Sequence, residues 1–178
     1  MNQKQGNDKM KMIKFLAPLS LILLISCSSD NDFVSMQNKE KISSQLKSIA
    51  LENLKSWEPP FHENQFLSHF TQSDDLLIVI DDFTIKNYDK WKGLVFESMN
   101  EDRNQQFKMY KHIVNEVNVV VLSASSGVVT TSYTWDYITN ENLHFNVKAN
   151  ATLVFRKNNE HWEIVHFIVS HQKENQIK

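Results

Sequence analysis

Apolar residues recur at spacings of three and four in the segment that follows residue 39. The residues with this spacing are Ile42, Leu46, Ile49, Ala50, Leu54 and Trp57. Because an α-helix has about 3.6 residues per turn, these side chains form one apolar stripe, and the pattern predicts an amphipathic helix. Pro59 and Pro60 follow, and neither can donate a backbone hydrogen bond. The helix is therefore expected to end just before them.

Two more helices and a buried strand are predicted before residue 103. The segment Phe61 to Phe70 suits a short helix with Phe66, Leu67 and Phe70 turned inward. Leu76 to Ile80 is an uninterrupted apolar run between aspartates, which is typical of a strand buried on both faces. Helical spacing returns from Tyr88 to Met99 and predicts a third helix over residues 87–101.

The second half of the chain is rich in β-branched and aromatic residues, interrupted by short turn sequences. The predicted strands cover residues 107–114, 117–123, 128–138, 143–155 and 162–171. Helices followed by consecutive strands predict an α+β domain in which a long, curved antiparallel sheet wraps the helices. The run Val119–Leu122 is apolar at consecutive positions, so part of the second sheet face is also expected to be covered. Such a face would favour a homodimer.

Composition indicates one globular domain and excludes one class of partner. The 178 residues carry a formal net charge of -2, and only three glycines and three prolines interrupt them. Four of the lysines fall in the first 26 residues, so the remainder is more acidic than the whole chain. An acidic domain without a basic stripe lacks the electrostatic footprint for phosphate backbones. Nucleic acid is therefore not expected as a partner.

The start of the chain has the three-part layout of a secretory signal. A lysine-rich stretch precedes the apolar run Phe15–Ile25, and the small residue Ser26 leads into Cys27. The run is shorter than the roughly 20 apolar residues of a membrane-spanning helix. Cys27 is the single cysteine of the chain. An unpaired, exposed thiol is reactive in an oxidising compartment, so its presence in an exported protein needs a reason.

The tetrad Leu24-Ile25-Ser26-Cys27 resembles the lipobox of bacterial lipoproteins. The resemblance implies cleavage before Cys27 and acylation of its thiol, which would tether the protein to a membrane. The predicted organisation is a signal peptide over 1–26, a flexible tether over 27–38, a folded domain over 39–171 and a polar tail over 172–178. The alternative is an uncleaved anchor with a chance cysteine, and Met10 or Met12 is an alternative start.

The segment Ser28–Asp32 contains two acidic residues directly behind the cysteine. It resembles the surface-export signal of Bacteroidetes lipoproteins. The predicted location is the cell envelope, with the lipid in the outer membrane and the cell surface as an alternative. A plain polar tether explains the same residues.

The order of elements and the last strands resemble the nuclear transport factor 2-like superfamily, in particular its SnoaL-like and ketosteroid isomerase-like branches. Members often end in a strand written Trp-x-Ile-x-His-x-His-x-Ser. The matching residues are Trp162, Ile164, His166 and Ser170. Ile168 replaces the second histidine, and Tyr133–Trp135 looks like the middle strand of the family. The resemblance implies a cone-shaped fold over residues 39–171 with a pocket at its open end.

Regular strand alternation places His166 on the same face as Ile164 and Ser170. If that face is concave, His166 lies inside the cone and can act as a general base or as a hydrogen-bond donor to a ligand. Aromatic residues on the elements that line the cone predict a small-molecule site, with plain core packing as the alternative. The predicted pocket residues are Tyr88, Trp91, Tyr110, Trp135, His166 and Ser170.

Metal and cofactor chemistry are not predicted. His166 and His171 are five residues apart on a strand and so point to opposite faces. His62 and His69 are seven apart, whereas two ligands on a helix are usually one turn apart.

Asp81 follows the buried strand and is expected to form a turn or cap a helix rather than act as a base. No catalytic set is assigned, and a non-enzymatic role is favoured. The predicted function is a membrane-anchored lipoprotein whose pocket binds a small apolar or amphipathic molecule, or supports an envelope complex, without turnover. The alternatives are an isomerase, cyclase or hydratase that uses a pocket histidine or aspartate, and a dimeric interaction module.

Overall fold

The computed structural model describes residues 34–99, 105–172 and 175–177. The predicted signal peptide, Cys27 and residues 28–33 of the predicted tether lie outside the described residues. The helices are α1 (Met36–Ser56), α2 (Glu63–Ser68) and α3 (Tyr88–Ser98). The strands are β1 (Leu77–Ile80), β2 (Phe83–Lys86), β3 (Phe107–Ser123), β4 (Ser126–Thr139), β5 (His144–Asn158), β6 (His161–His171) and β7 (Asn175–Ile177).

Helix α1 begins earlier than the apolar stripe indicated. The Ser35 hydroxyl accepts a hydrogen bond from the Asn38 amide and caps the helix, so residues 36–38 of the predicted tether are helical. The stripe is otherwise as predicted, since Leu46 and Ala50 are completely buried. The helix ends at Ser56, before the two prolines.

The strands form one mixed sheet in the order β2-β1-β6-β5-β4-β3. All neighbours are antiparallel except β1 and β6, which run parallel. The expectation of a purely antiparallel sheet is therefore corrected at this one pair. Its two strands lie far apart in sequence, so no local pattern shows which way they run relative to each other. Helices packed against this curved sheet form the expected α+β cone.

Three local predictions need correction. The segment after β1 turns at Asp81, whose φ is 54°, and returns as the unpredicted strand β2. The expected turn at Asn115 is an irregularity inside one long strand, β3, because an extra residue can be accommodated as a bulge without breaking the ladder. Part of the predicted polar tail is β7, which pairs with the start of β5.

Strand β6 contains one extra residue, and this changes which side chains face the helices. Phe155 pairs with Ile164 but Val154 pairs with His166, so Val165 is bulged out of the ladder. Before the bulge Ile164 is buried, and after it Phe167 is buried. The alternation has therefore shifted by one position, as a bulge requires.

The core lies between α1 and the inner face of the sheet. Its completely or almost completely buried members include Leu46, Ile78, Val95, Leu153, Phe155 and Ile164. Within the described ranges, no helix is both long enough and apolar enough to cross a membrane.

Candidate functional site

A cavity of about 140 Å³ lies between the helices and the sheet. Six of its lining residues are aromatic: Trp57, Phe66, Trp91, Tyr133, Trp135 and Phe167. The others are Asn53, Leu54, Ile80, His112, Val169 and His171. All three helices and four strands of the sheet contribute, so the cavity exists only when the helices are packed on the sheet.

His171 is held at two points by Asp81. The Asp81 Oδ1 accepts a hydrogen bond from the His171 backbone N–H at 2.7 Å, and its Oδ2 lies 2.9 Å from the ring nitrogen Nδ1. The β1–β2 turn supplies Asp81, and the last residue of β6 supplies His171. The imidazole also packs on Trp135, with 4.7 Å between the ring centroids. Backbone and ring contacts together therefore orient the imidazole.

The charge state of Asp81 determines the tautomer of His171. The hydrogen bonds from His171, that of the backbone N–H first, hold the pKa of Asp81 below its usual value, although burial opposes this. An ionised carboxylate can only accept hydrogen bonds, so the Nδ1 nitrogen of His171 is the donor. The neutral ring then carries its lone pair on Nε2, which is buried and has no hydrogen-bond partner among the described residues.

His112 is a second imidazole in the cavity wall, in a different state. Its side chain is only 2% exposed, and burial lowers the pKa of His112 to about 4. The nearby Glu58 carboxylate opposes the shift but does not outweigh burial. Glu58 Oε1 lies 3.7 Å from Nδ1 and accepts a hydrogen bond from the His112 backbone N–H at 2.8 Å. At neutral pH this ring is uncharged.

Several buried polar atoms of the wall lack partners among the described residues. They are Nε1 of Trp91 and Trp135, Nδ1 of His112 and Nε2 of His171. A buried donor or acceptor without a partner costs about 1–3 kcal/mol, so such groups are uncommon unless water or a ligand satisfies them. Burial, with the Asp81 carboxylate nearby, raises the pKa of Tyr133, whose phenol therefore stays protonated. The wall is apolar but offers hydrogen-bonding groups.

The structure brings two of the six predicted pocket residues to this cavity, Trp91 and Trp135. Tyr88 is the first residue of α3, away from the lining. Tyr110 packs edge-on against Phe61, at 6.0 Å between centroids, in a neighbouring aromatic cluster.

His166 and Ser170 lie on the outer face of the sheet, opposite to the predicted one. The bulge at Val165 is the physical reason, because it reverses the alternation for every later residue of β6. The same reversal turns His171 inward, although His171 was not among the predicted pocket residues. The sequence did show that His166 and His171 face opposite sides, but not which side faces the helices. Asp81 does form the predicted turn, and it also binds His171.

Among the described residues, no group of three or more histidine, cysteine, aspartate or glutamate side chains is placed to hold a metal ion.

No protein-family model and no curated protein matches the sequence. Solved structures do match the fold. A hexachlorocyclohexane dehydrochlorinase (LinA) type 2 superposes with a TM-score of 0.64 at 12% identity, covering 80% of this chain and 93% of that one. A nuclear transport factor 2-like superfamily protein from Salmonella enterica has a TM-score of 0.59 at 11% identity, with coverages of 75% and 92%.

A ketosteroid isomerase-like protein from Erwinia carotovora atroseptica is also similar, with a TM-score of 0.57 at 12% identity and coverages of 74% and 96%. The described domain therefore has the nuclear transport factor 2-like α+β cone fold, as the sequence predicted. Identities this low establish the fold alone, and a fold does not determine a function.

Proposed function

We propose that this domain binds a small, uncharged, mainly apolar molecule in the cavity and that His171 transfers a proton to or from it. One observation carries the proposal. Asp81 holds the backbone N–H and the ring Nδ1 of His171, and Nε2 is buried in the wall of an apolar cavity without a partner among the described residues.

The size and charge of the cavity support this class of ligand. Its volume of about 140 Å³ is close to that of a roughly 150 Å³ apolar cavity known to hold benzene, so one ring is a suitable occupant. Among the described lining residues there is no lysine or arginine, and His112 is neutral at pH 7. A buried anion would have no lysine or arginine beside it, which is costly. A neutral ring with one hydrogen-bond acceptor fits best.

The proposed step is removal of a proton from a carbon beside a carbonyl. The C–H bond breaks, its proton goes to Nε2 of His171, and the electron pair moves to the carbonyl oxygen. Asp81 stabilises the imidazolium, as a carboxylate does for a general base. The developing oxyanion needs donors, and the protonated phenol of Tyr133 and the indole N–H of Trp135 are in the same wall.

The names of the structural neighbours are compatible with such a step. Loss of hydrogen chloride and isomerisation beside a carbonyl both require a proton to leave carbon, and a dehydrochlorinase and a ketosteroid isomerase-like protein share this fold. The similarity supports the chemistry as a proposal and does not assign a substrate.

Hydrogen–deuterium exchange tests the proposal. The purified full chain is incubated in D₂O with single-ring ketones, of which cyclohexanone is the first, and NMR follows deuterium entering the α position. We expect exchange above the buffer rate. His171→Gln and Asp81→Asn should each reduce the excess by about 10²–10⁴-fold, the usual contribution of a positioned base. Asn tolerates the positive φ of Asp81 but would present an N–H to Nδ1, which moves the ring proton to Nε2.

His166→Gln is the matched control, because it removes an imidazole from the other face of the same strand. Tryptophan fluorescence reports binding separately, since Trp57, Trp91 and Trp135 line the cavity. If a ring ketone binds but its α position exchanges only at the buffer rate, His171 does not transfer a proton. The protein would then bind a ligand without turnover, which is the function expected from the sequence. If no ring compound binds, the proposed ligand class is wrong.

We also propose that the domain is held at the outer membrane by lipid on Cys27. The layout of the leader and the lipobox-like tetrad support this, and so does a polar segment between Cys27 and the first described residue.

A further inference from the structure

Three strongly exposed apolar side chains lie near the start of α1 and the end of β3. Met36 is 80% exposed, Leu122 is 61% exposed and Val120 is 56% exposed. Val120 and Leu122 alternate with Val119 and Val121, which pack against the core, so they lie on the outer face of β3, whereas Met36 is on α1 at the inner face. Large apolar side chains with this much exposure mark regions that contact a partner or a membrane.

Helix α1 and strand β3 run in opposite directions, which puts these residues at one end of the domain. Near the end of α1, Glu58 bonds the backbone of His112 in the first half of β3. Near the start of α1, four residues share a surface groove with Val119–Val121; they are Lys39, Glu40, Ser43 and Ser44. Met36 lies one turn before this groove, and Leu122 lies two residues beyond Val120. The cavity, with His112 and His171 in its wall, is at the opposite end.

The chain enters the domain at the apolar end. Val34 is the first described residue and is buried in the core. Seven residue steps separate it from Cys27, and a fully extended chain spans at most about 3.6 Å per residue, or about 25 Å here. Strand β3 has 17 residues and is about 50 Å long at about 3.3 Å per residue. The tether is thus much shorter than the domain.

We infer that the end of the domain that carries Met36, Val120 and Leu122 docks on the bilayer that holds the lipid of Cys27, so that the cavity points away from the membrane. This inference rests on the proposed lipidation. A tether of this length keeps the entry end of the domain near the lipid surface, where exposed apolar side chains can insert at the interface. Lys39 and Lys41 are exposed beside them and can contact anionic headgroups, with Glu40 opposing by one charge.

Depth-dependent fluorescence quenching tests the orientation. The full, lipidated chain is reconstituted in vesicles of phosphatidylethanolamine and phosphatidylglycerol that contain a spin-labelled lipid. A fluorophore is placed at Leu122→Cys or, as the matched control, at Phe83→Cys. Phe83 is also apolar and 72% exposed, but it lies in the hairpin beside Asp81, at the cavity end. Acylation blocks Cys27, so each variant offers one reactive thiol.

We expect several-fold stronger quenching at position 122 than at position 83. Equal quenching, or stronger quenching at 83, would overturn the inferred orientation. Weak quenching at 122 with energy transfer between donor-labelled and acceptor-labelled copies would show that this end of the domain contacts a second copy instead, and would also overturn the inference. Failure of the anchor itself is seen separately, because mass spectrometry would then find Cys27 without acyl chains and the protein would stay in the soluble fraction.

Discussion

Two histidines of the cavity wall show how environment sets the role of one residue type. His112 is almost fully enclosed, and burial holds it neutral at physiological pH. His171 is 19% exposed and is oriented by a carboxylate. The first imidazole can offer only hydrogen bonds, whereas the second is the group that we propose exchanges a proton.

The depressed pKa of His112 predicts a loss of stability in acid. The unfolded chain binds this proton near pH 6.5, and the folded domain binds it only near pH 4. Between these values the unfolded state holds more protons, so the free energy of unfolding falls as the pH drops from 6.5 to 4. Above pH 6.5 the contribution of His112 to stability is fully present. At about 1.4 kcal/mol per pH unit, the loss is about 3 kcal/mol.

His112→Gln removes the titrating group and should abolish most of this loss. Urea unfolding at pH 7 and pH 4.5 measures it, and the relevant quantity is the change in unfolding free energy relative to the unsubstituted protein. His161→Gln is the control, since that imidazole is exposed at the β5–β6 turn. Equal acid sensitivity of His112→Gln and the unsubstituted protein would refute the assignment.

At the scale of elements, the seam between α1 and the sheet depends on a close approach at Gly127. A Cβ added there would lie 2.4 Å from Cδ1 of Leu46 and 3.2 Å from the Val120 carbonyl oxygen. Leu46 is completely buried, so its side chain is enclosed by packed neighbours. Only a residue without a side chain lets the helix reach the sheet at this point.

Gly127→Ala is therefore expected to destabilise the domain by about 1–3 kcal/mol, the usual cost of overpacking. Gly93→Ala is a matched control in α3, where an added Cβ meets nothing within 4 Å. That change should stabilise by about 1 kcal/mol, because alanine is the better helix former. Thermal unfolding of both variants measures these changes in stability. A Gly127→Ala variant as stable as the original would show that α1 does not pack tightly on the sheet at Gly127.

The helices and strands were largely predictable from local patterns. Which side chains of a strand point toward the helices was not. The stripe from Ile42 to Leu54 and the prolines after it defined α1, because helix formation depends on neighbours three and four residues away. The bulge at Val165 leaves no comparable mark in the sequence, since it is set by how β5 and β6 pair. One inserted residue moved His166 outward and His171 inward, and so changed the predicted site.

At the scale of the whole molecule, anchoring is a prediction from the leader and concerns residues outside the described ranges. Cys27→Ala should leave the protein without lipid and move it from the membrane fraction to the soluble fraction, because one thiol is the proposed attachment point. Metabolic labelling with a fatty acid, followed by fractionation, measures this. Label retained by the variant would refute the anchor, and Ser28→Ala is the control that should keep it.

The sequence by itself determined the order of helices and long strands, the α+β class and the aromatic character of the interior, because these follow from short-range periodicity and composition. Tertiary structure alone decided the parallel pairing of β1 with β6 and the contact between Asp81 and His171, which are 90 residues apart. Such contacts depend on strand register across the sheet. A single bulge changes that register, and nothing near it in the chain shows the change.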